Sequence, residues 1–327
     1  MRRFLFLFLQ FFLIAGIFGF LFWNAVYATD DEGKNIFNVL FEQPKRWHFL
    51  AAAFFAQILG VCITFIRWRW LLRTLGLQCA YCEALRLGFL GVMLNLAPLG
   101  IVGGDAVKAV LIAQKNPEFK SQAVASVFID RLIGLLIMFL CGTMLLLYTG
   151  FFARTEIIAQ TFTHVVFALT AAGLLATGIV FLPFFAKGHV ERWIGKIPLC
   201  GNLGSKLVRS LLLYRNHKRC LLLCSLITIP VHLSFGLSLY WIAVALFSPV
   251  PDAVCHLMLH NVTNITSMIP LAAGPYEWTL EQLYQLHGMN VGMGFIVSLM
   301  FRLTAIGVAF AGIVYYFSVK NKQSPMR

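Results

Sequence analysis

Two apolar stretches of this chain are broken by the same device, 172 positions apart: Pro98-Leu-Gly-Ile-Val-Gly-Gly-Asp105 and Pro270-Leu-Ala-Ala-Gly-Pro-Tyr-Glu277. Each places an acid seven residues after a proline, with helix-breaking residues between. About 25 residues further on, an arginine is embedded in an apolar run: Arg131 in Ser126-Val-Phe-Ile-Asp-Arg-Leu132, and Arg302 in Ser298-Leu-Met-Phe-Arg-Leu303. At membrane depth, broken backbone and ionisable side chains are tolerated only where protein or a water-filled cavity surrounds them. The fold must therefore enclose both breaks, and their recurrence in the same order points to a symmetric transporter.

Composition fixes the setting. Of the 327 residues 60% are hydrophobic and 12% charged, with a mean hydropathy of +0.81, which excludes an ordinary soluble domain. The formal net charge of +13 would suggest nucleic acid in a soluble protein. Here the basic residues flank apolar runs, so cytoplasmic loops and anionic lipid headgroups are expected and no nucleic-acid partner is. The eight cysteines are scattered; Cys62, Cys141, Cys220, Cys224 and Cys255 lie in or beside apolar segments, where a thiol packs as a small hydrophobe. Cys79 and Cys82 form a CxxC without the second pair that a tetrahedral zinc site needs. No disulfide framework, metal or cofactor is expected.

The distribution of lysine and arginine orders the spans. Met1-Arg-Arg precedes an apolar run from Phe4 to Tyr27, longer than a signal-peptide core despite the passable cleavage site Val26-Tyr-Ala28, and it reads as a retained first span. Thr29 to Arg46, with Asp30, Asp31, Glu32 and Glu42, reads as external. A second span, Trp47 to Ile66, leads to the cytoplasmic cluster Arg67, Arg69, Arg73 and Arg86. The apolar segment Ala84 to Gln114 begins at Arg86 and ends at Lys115 and Lys120, so both ends look cytoplasmic. That requires a re-entrant hairpin, bent at Pro98 to Gly104. Spans from Ser121 to Gly150 and from Thr163 to Phe185 flank an external loop holding Arg154 and Glu156. The stretch Ala186 to Arg219 holds eight basic residues and is cytoplasmic; Leu203, Leu207, Leu211 and Tyr214 give part of it an interfacial helical face. From Arg219 to Arg302 there is no lysine or arginine, although the chain contains a span, Cys220 to Phe247, and a second hairpin, Ala253 to Gly288, broken at Pro270 to Pro275. A last span, Asn290 to Val319, ends at Lys320, Lys322 and Arg327.

The expected fold is an all-α polytopic integral membrane protein, a single domain over 1–327, with six full spans, both termini cytoplasmic, and two re-entrant helical hairpins of opposite orientation. Each hairpin together with the span after it forms one unit of an inverted repeat, 84–150 and 253–319.

The candidate substrate-binding or transport residues are the charges of these units: Asp105, Lys108, Asp130, Arg131, Glu277, Glu281 and Arg302. Asp105 follows Gly103 and Gly104 and is expected in the first turn of a half-helix, as a cap, as a partner of Arg131 or Arg302, or as the receiver of a cationic substrate group. Lys108 either contacts a lipid phosphate or snorkels to the headgroups. Asp130 and Arg131 point roughly 100° apart on a helix and cannot form a good pair with each other. Glu277 and Glu281 share a face with no lysine or arginine nearby in sequence and so need a distant partner or a proton; Arg302 is the nearest candidate, through a structural salt bridge or a substrate site. The hairpin turns are assigned to Pro98, Gly100, Gly103 and Gly104, and to Pro270, Gly274 and Pro275, the last favourable at a first helical position. His256, His260 and Asn264 recur at helical spacing, with His232 in the preceding span, but a metal site there lacks a matching third ligand unless Glu277 supplies it. The sequons at Asn261 and Asn264 fall in the second hairpin, so glycosylation is not expected. There is no P-loop, dinucleotide fingerprint or Ser-His-Asp pattern.

At these residues the sequence resembles a known family. Asn95-Leu-Ala-Pro98 through Gly103-Gly104-Asp105, the Asp130-Arg131 pair, and Ile269-Pro270 through Glu277 resemble the lysylphosphatidylglycerol synthase transmembrane region, which includes the flippase part of the bifunctional aminoacyl-phosphatidylglycerol synthase/flippase. The resemblance covers nearly the whole chain and implies an inner-membrane protein linked to lipid translocation. Two departures stand out. The second motif reads Gly-Pro-Tyr-Glu where a glycine-richer turn and an arginine before the glutamate are expected, and no counterpart of the soluble aminoacyltransferase domain accompanies it. Lipid aminoacylation is therefore not carried over.

The function expected is a lipid flippase or a transporter of lipid-linked substrates in the cytoplasmic membrane, with the hairpin tips meeting in one cavity. Its partners are anionic or lipid-linked substrates, a second copy in a homodimer, and lipid-biosynthesis enzymes. The alternatives are an intramembrane transferase acting on lipid-linked sugar or phosphate, for which clustered acids are wanting apart from Glu277 and Glu281, and a non-catalytic accessory subunit whose charges are structural.

Overall fold

The computed structural model describes residues 2–29, 33–95, 100–182, 211–269, 271 and 273–322. These residues are almost entirely α-helical, with short 3-10 turns and no sheet among them. The helices are α1 (Arg2–Tyr27), α2 (Ile36–Glu42), α3 (Trp47–Thr74), α4 (Tyr81–Asn95), α5 (Gly100–Lys115), α6 (Lys120–Tyr148), α7 (Ile157–Phe181), α8 (Lys218–Leu246), α9 (Ala253–Thr263), α10 (Pro275–Leu286) and α11 (Met293–Lys322). An apolar chain of this kind becomes helical because helices satisfy every backbone polar group internally.

Among the described residues five helices, α3, α6, α7, α8 and α11, are long and apolar enough to cross a membrane. Among the described residues α1 contributes a shorter apolar stretch, Phe12–Tyr27. Large apolar side chains such as Leu175 on α7, Leu222 on α8 and Phe310 on α11 are exposed, while Gln57, Arg67, Asp130 and Glu277 are buried. In a soluble protein this arrangement would be inverted. The protein is a multi-pass membrane protein.

The chain divides into two compact units. Unit 1 comprises Met1–Leu59, Cys141–Val166 and His232–Val308; unit 2 comprises Gly60–Leu140, Phe167–Val231 and Ala309–Arg327. The boundaries fall inside the five long helices, so each of these helices lends one part to each unit.

Unit 2 is built around the helical pair α4 and α5. Glu83 pairs with Lys115 at the far ends and Gly104 lies against Gly91 and Asn95 near the turn, which makes the pair antiparallel. Its core joins Trp68 and Leu72 of α3, Leu87 of α4, Ile112 of α5 and Ala123 of α6. In unit 1, α9 and α10 form the corresponding pair, joined through the 3-10 turn Asn264–Met268. Phe18 of α1 packs edge-on against Phe295 of α11, and Ile17 lies against Gly274 at the start of α10.

Several sequence expectations are corrected. The second span does not stop at Ile66: α3 runs to Thr74, and Arg67 and Arg69, assigned to the basic cluster beyond the span, are buried residues of the same helix. The helix continues because Trp68, Leu71 and Leu72 extend its buried face and each guanidinium finds a protein acceptor. The first hairpin does not bend at Gly103 and Gly104, since α5 already begins at Gly100. Both glycines are helical, and Gly104 serves close packing instead: a Cβ there would lie 2.0 Å from the Gly91 carbonyl oxygen. Pro98 and Pro270 lie outside the described residues, as does most of the basic stretch 186–219 with its Leu203 and Leu207.

Candidate functional site

In unit 2, Asp105 sits in the second turn of α5 rather than at its start, so it is not the N-cap that its place after two glycines suggested. Its carboxylate is buried and gathers two cations. Lys108, three residues on, places its ammonium 2.7 Å from Asp105 Oδ1, and Arg131 of α6 donates from Nε to Oδ2. Lys108 does not snorkel. Its stem lies against Gly91, where a Cβ would come within 3.0 Å of it, and its ammonium stands 5.4 Å from the centre of the Trp68 ring. The pairing with Asp105 and the space left by glycine hold it inward.

Asp130 looks the other way. Arg67 donates from Nε to Asp130 Oδ1 at 2.7 Å, from Nη2 to the Asp130 carbonyl at 3.1 Å, and from Nη1 to Thr228 Oγ1 at 2.7 Å. Both side chains are buried. Arg67 was the partner that sequence reading missed; the signal was its place between apolar residues in an unbroken helical run, Phe65-Ile-Arg-Trp68.

In unit 1 the acid does stand in the first turn. Gly274 precedes α10 with φ +105°, a conformation favouring glycine, and Pro275 takes the first helical position. Glu277, third in the helix and fully buried, accepts the Gly274 N–H on Oε2 at 2.7 Å. Its Oε1 accepts from Arg302 Nε of α11 at 2.8 Å and from Nη2. Glu281 has a different occupation. Its Oε1 accepts the Gly292 N–H at 2.7 Å and the Gln285 amide at 2.8 Å, and Oε2 accepts the Phe295 N–H at 2.9 Å, which caps the start of α11. Arg302 therefore goes to Glu277.

Around this pair Tyr276 stacks on Phe301 with ring centres 6.0 Å apart, and His260 packs on the same ring at 5.6 Å. His256 bonds Tyr284 through Nε2 at 2.7 Å and the Asp252 carbonyl through Nδ1 at 2.9 Å. Among the described residues no group of three histidine, cysteine, aspartate or glutamate side chains is arranged to hold a metal ion. The CxxC also separates: Cys79 is buried and Cys82 exposed, and burial, with Glu83 nearby, pushes the Cys79 thiol up to about 11.

Each unit thus holds one acid near the start of a short helix and one arginine from the next long helix. The family model of the lysylphosphatidylglycerol synthase transmembrane region matches residues 4–312. The chain belongs to that family. Neither a curated protein nor a solved structure matches it. Membership gives the chain a membrane role connected with lipid. The Asp105 and Glu277 pairs lie well inside the matched residues.

Proposed function

We propose that this family member is a lipid flippase or a transporter of lipid-linked substrates in the cytoplasmic membrane. In this reading α4–α5 and α9–α10 are re-entrant hairpins of opposite orientation, each forming one half of an inverted repeat with the helix that follows. One observation carries it. In each unit the acid is almost fully enclosed while its arginine keeps a large share of side-chain surface, 45% for Arg131 and 37% for Arg302. A pair that only fastens helices has no need of an accessible guanidinium. A planar, always charged guanidinium is well suited to exchange a carboxylate for the oxygens of a passing headgroup.

The orientation rests on unit membership and charge. Both arms of α4–α5 belong to the unit that holds Arg73, Lys115, Lys120 and Lys218, whereas both arms of α9–α10 belong to the unit whose 232–301 segment has no lysine or arginine. By the positive-inside rule α4–α5 is read as entering from the cytoplasm, and the basic residues beside the first and last apolar runs, Arg2 and Arg3, and Lys320, Lys322 and Arg327, as marking cytoplasmic termini.

The test is translocation of headgroup-labelled lipid in proteoliposomes by Asp105→Asn and Glu277→Gln, each first shown to be monodisperse. Rates are expected to fall about tenfold or more, the effect of losing about 1.4 kcal/mol of barrier lowering. Translocation at the parent rate by both variants would sink the reading.

A further inference from the structure

The charges of unit 2 do not cancel at Asp105. Two cations, Lys108 and Arg131, bind this one carboxylate. The other described acids of the unit are Glu83, Glu118 and Asp130. Glu83 pairs with Lys115 at 2.7 Å, Asp130 with Arg67 at 2.7 Å, and Glu118 is exposed in the 3-10 turn Pro117–Phe119. Among the described residues of the unit one positive charge is therefore left over at the triad. In unit 1 the corresponding acid, Glu277, faces Arg302 without a second lysine or arginine among the described residues of the surrounding 232–301 segment.

Lys108 is held away from the surface: its side chain is 11% exposed, its stem lies against Gly91 and its ammonium stands 5.4 Å from the centre of the Trp68 ring. The approach lies at Arg131, 45% exposed on the other side of the carboxylate. Charge held at membrane depth is costly without a counter-ion, and a partly reachable guanidinium beside a fixed ammonium selects a particular kind of counter-ion. The guanidinium offers a fork for two oxygens and the ammonium a point charge. We infer that Asp105, Lys108 and Arg131 form a binding site for a phosphate group, carried either by a lipid phosphodiester or by a free phosphate ester. The site deepens the translocase reading and rests on its premise that headgroups reach these pairs; Asp105 sets the affinity so that the anion is held and released.

The experiment uses the whole chain in nanodiscs of a neutral glycolipid, titrated calorimetrically with short-chain phosphatidylglycerol in one arm and with glycerol phosphate in the other. The parent binds at least one of them, and the arm that binds assigns the source. Lys108→Met, which keeps an unbranched stem against Gly91, and Arg131→Gln each weaken binding about tenfold. Asp105→Asn removes the acid and tightens binding, although the same variant is expected to lose translocation. Tighter binding with undiminished translocation would remove the translocase reading and leave the anion site standing. Weaker binding in Asp105→Asn would remove the anion site whatever translocation does. Absence of binding by the parent in both arms, or parent-like binding by the two cation variants, would also overturn the site. If Lys108→Met is not monodisperse, the half-exposed Arg131→Gln decides.

Discussion

Asp130 and Arg131 are neighbours in the chain that serve opposite partners: Asp130 accepts from Arg67 of α3 while Arg131 donates to Asp105 of α5. Consecutive residues on a helix point about 100° apart, so one step of α6 fastens it to two different helices. The first of these pairs is buried on both sides and the second is open at its arginine. The two should respond differently to mutation.

Removing the buried carboxylate with Asp130→Ala leaves the Arg67 guanidinium without its counter-charge. The expected loss is about 3–5 kcal/mol of stability, read from unfolding of the detergent-solubilised protein. Replacing both partners, Arg67→Met with Asp130→Leu, should restore most of it, because the two apolar side chains need no counter-charge.

Gly104 is a packing requirement. An added Cβ would lie 2.0 Å from the Gly91 carbonyl oxygen and 2.4 Å from Asn95 Oδ1, and the carbonyl belongs to fixed helical backbone. Gly104→Ala should therefore separate α4 from α5 at a cost of about 1–3 kcal/mol or more. Gly91→Ala meets only the flexible stem of Lys108 at 3.0 Å and should lower the melting temperature less.

Glu281 and Glu277 lie one helical turn apart and should separate in function. Glu281→Ala strips acceptors from the Gly292 and Phe295 amides, costing about 1–3 kcal/mol for each buried donor left unsatisfied. Translocation per folded molecule should stay at the parent level in that variant. A large fall in that specific rate would give Glu281 a role beyond holding the start of α11.

The two cysteines of the CxxC should differ in labelling at pH 8. The Cys79 thiol is raised to about 11, so its reactive thiolate is scarce until the pH approaches that value, whereas Cys82 is exposed. With single-cysteine variants and iodoacetamide at pH 8, Cys82 should react and Cys79 should not. Rapid modification of Cys79 at that pH would contradict its burial.

The helical segments and the pairing of Glu277 with Arg302 were legible because they rest on local facts: runs of apolar residues, prolines and glycines between them, and an acid with no lysine or arginine near it in sequence. For Asp105 the choice between Arg131 and Arg302 stayed open, because spacing does not tell which helix packs beside α5, and the structure gives Arg131 together with Lys108. Arg67 was not legible in the same way. Positive residues after an apolar run ordinarily mark a loop, and only the packing of α3 against α6 reveals that Asp130 draws this one inside. The turn of the first hairpin was misplaced for a related reason: glycine supplies both bends and close contacts, and Gly104 is needed for contact with Gly91. Likewise no rule of spacing tells a carboxylate that binds arginine from one that caps the next helix, which is what separates Glu277 from Glu281.

The five long helices change unit part-way along their length, after Leu59, Leu140, Val166, Val231 and Val308. Connecting loops are therefore poor places to cut this protein. A reporter enzyme fused behind any helix before α11 would be carried by a fragment in which neither unit has all its parts, and its signal would describe the fragment. Sidedness is better read from single cysteines placed in the intact chain, and split-protein complementation should require co-expression of the two pieces, since neither piece contains a finished half.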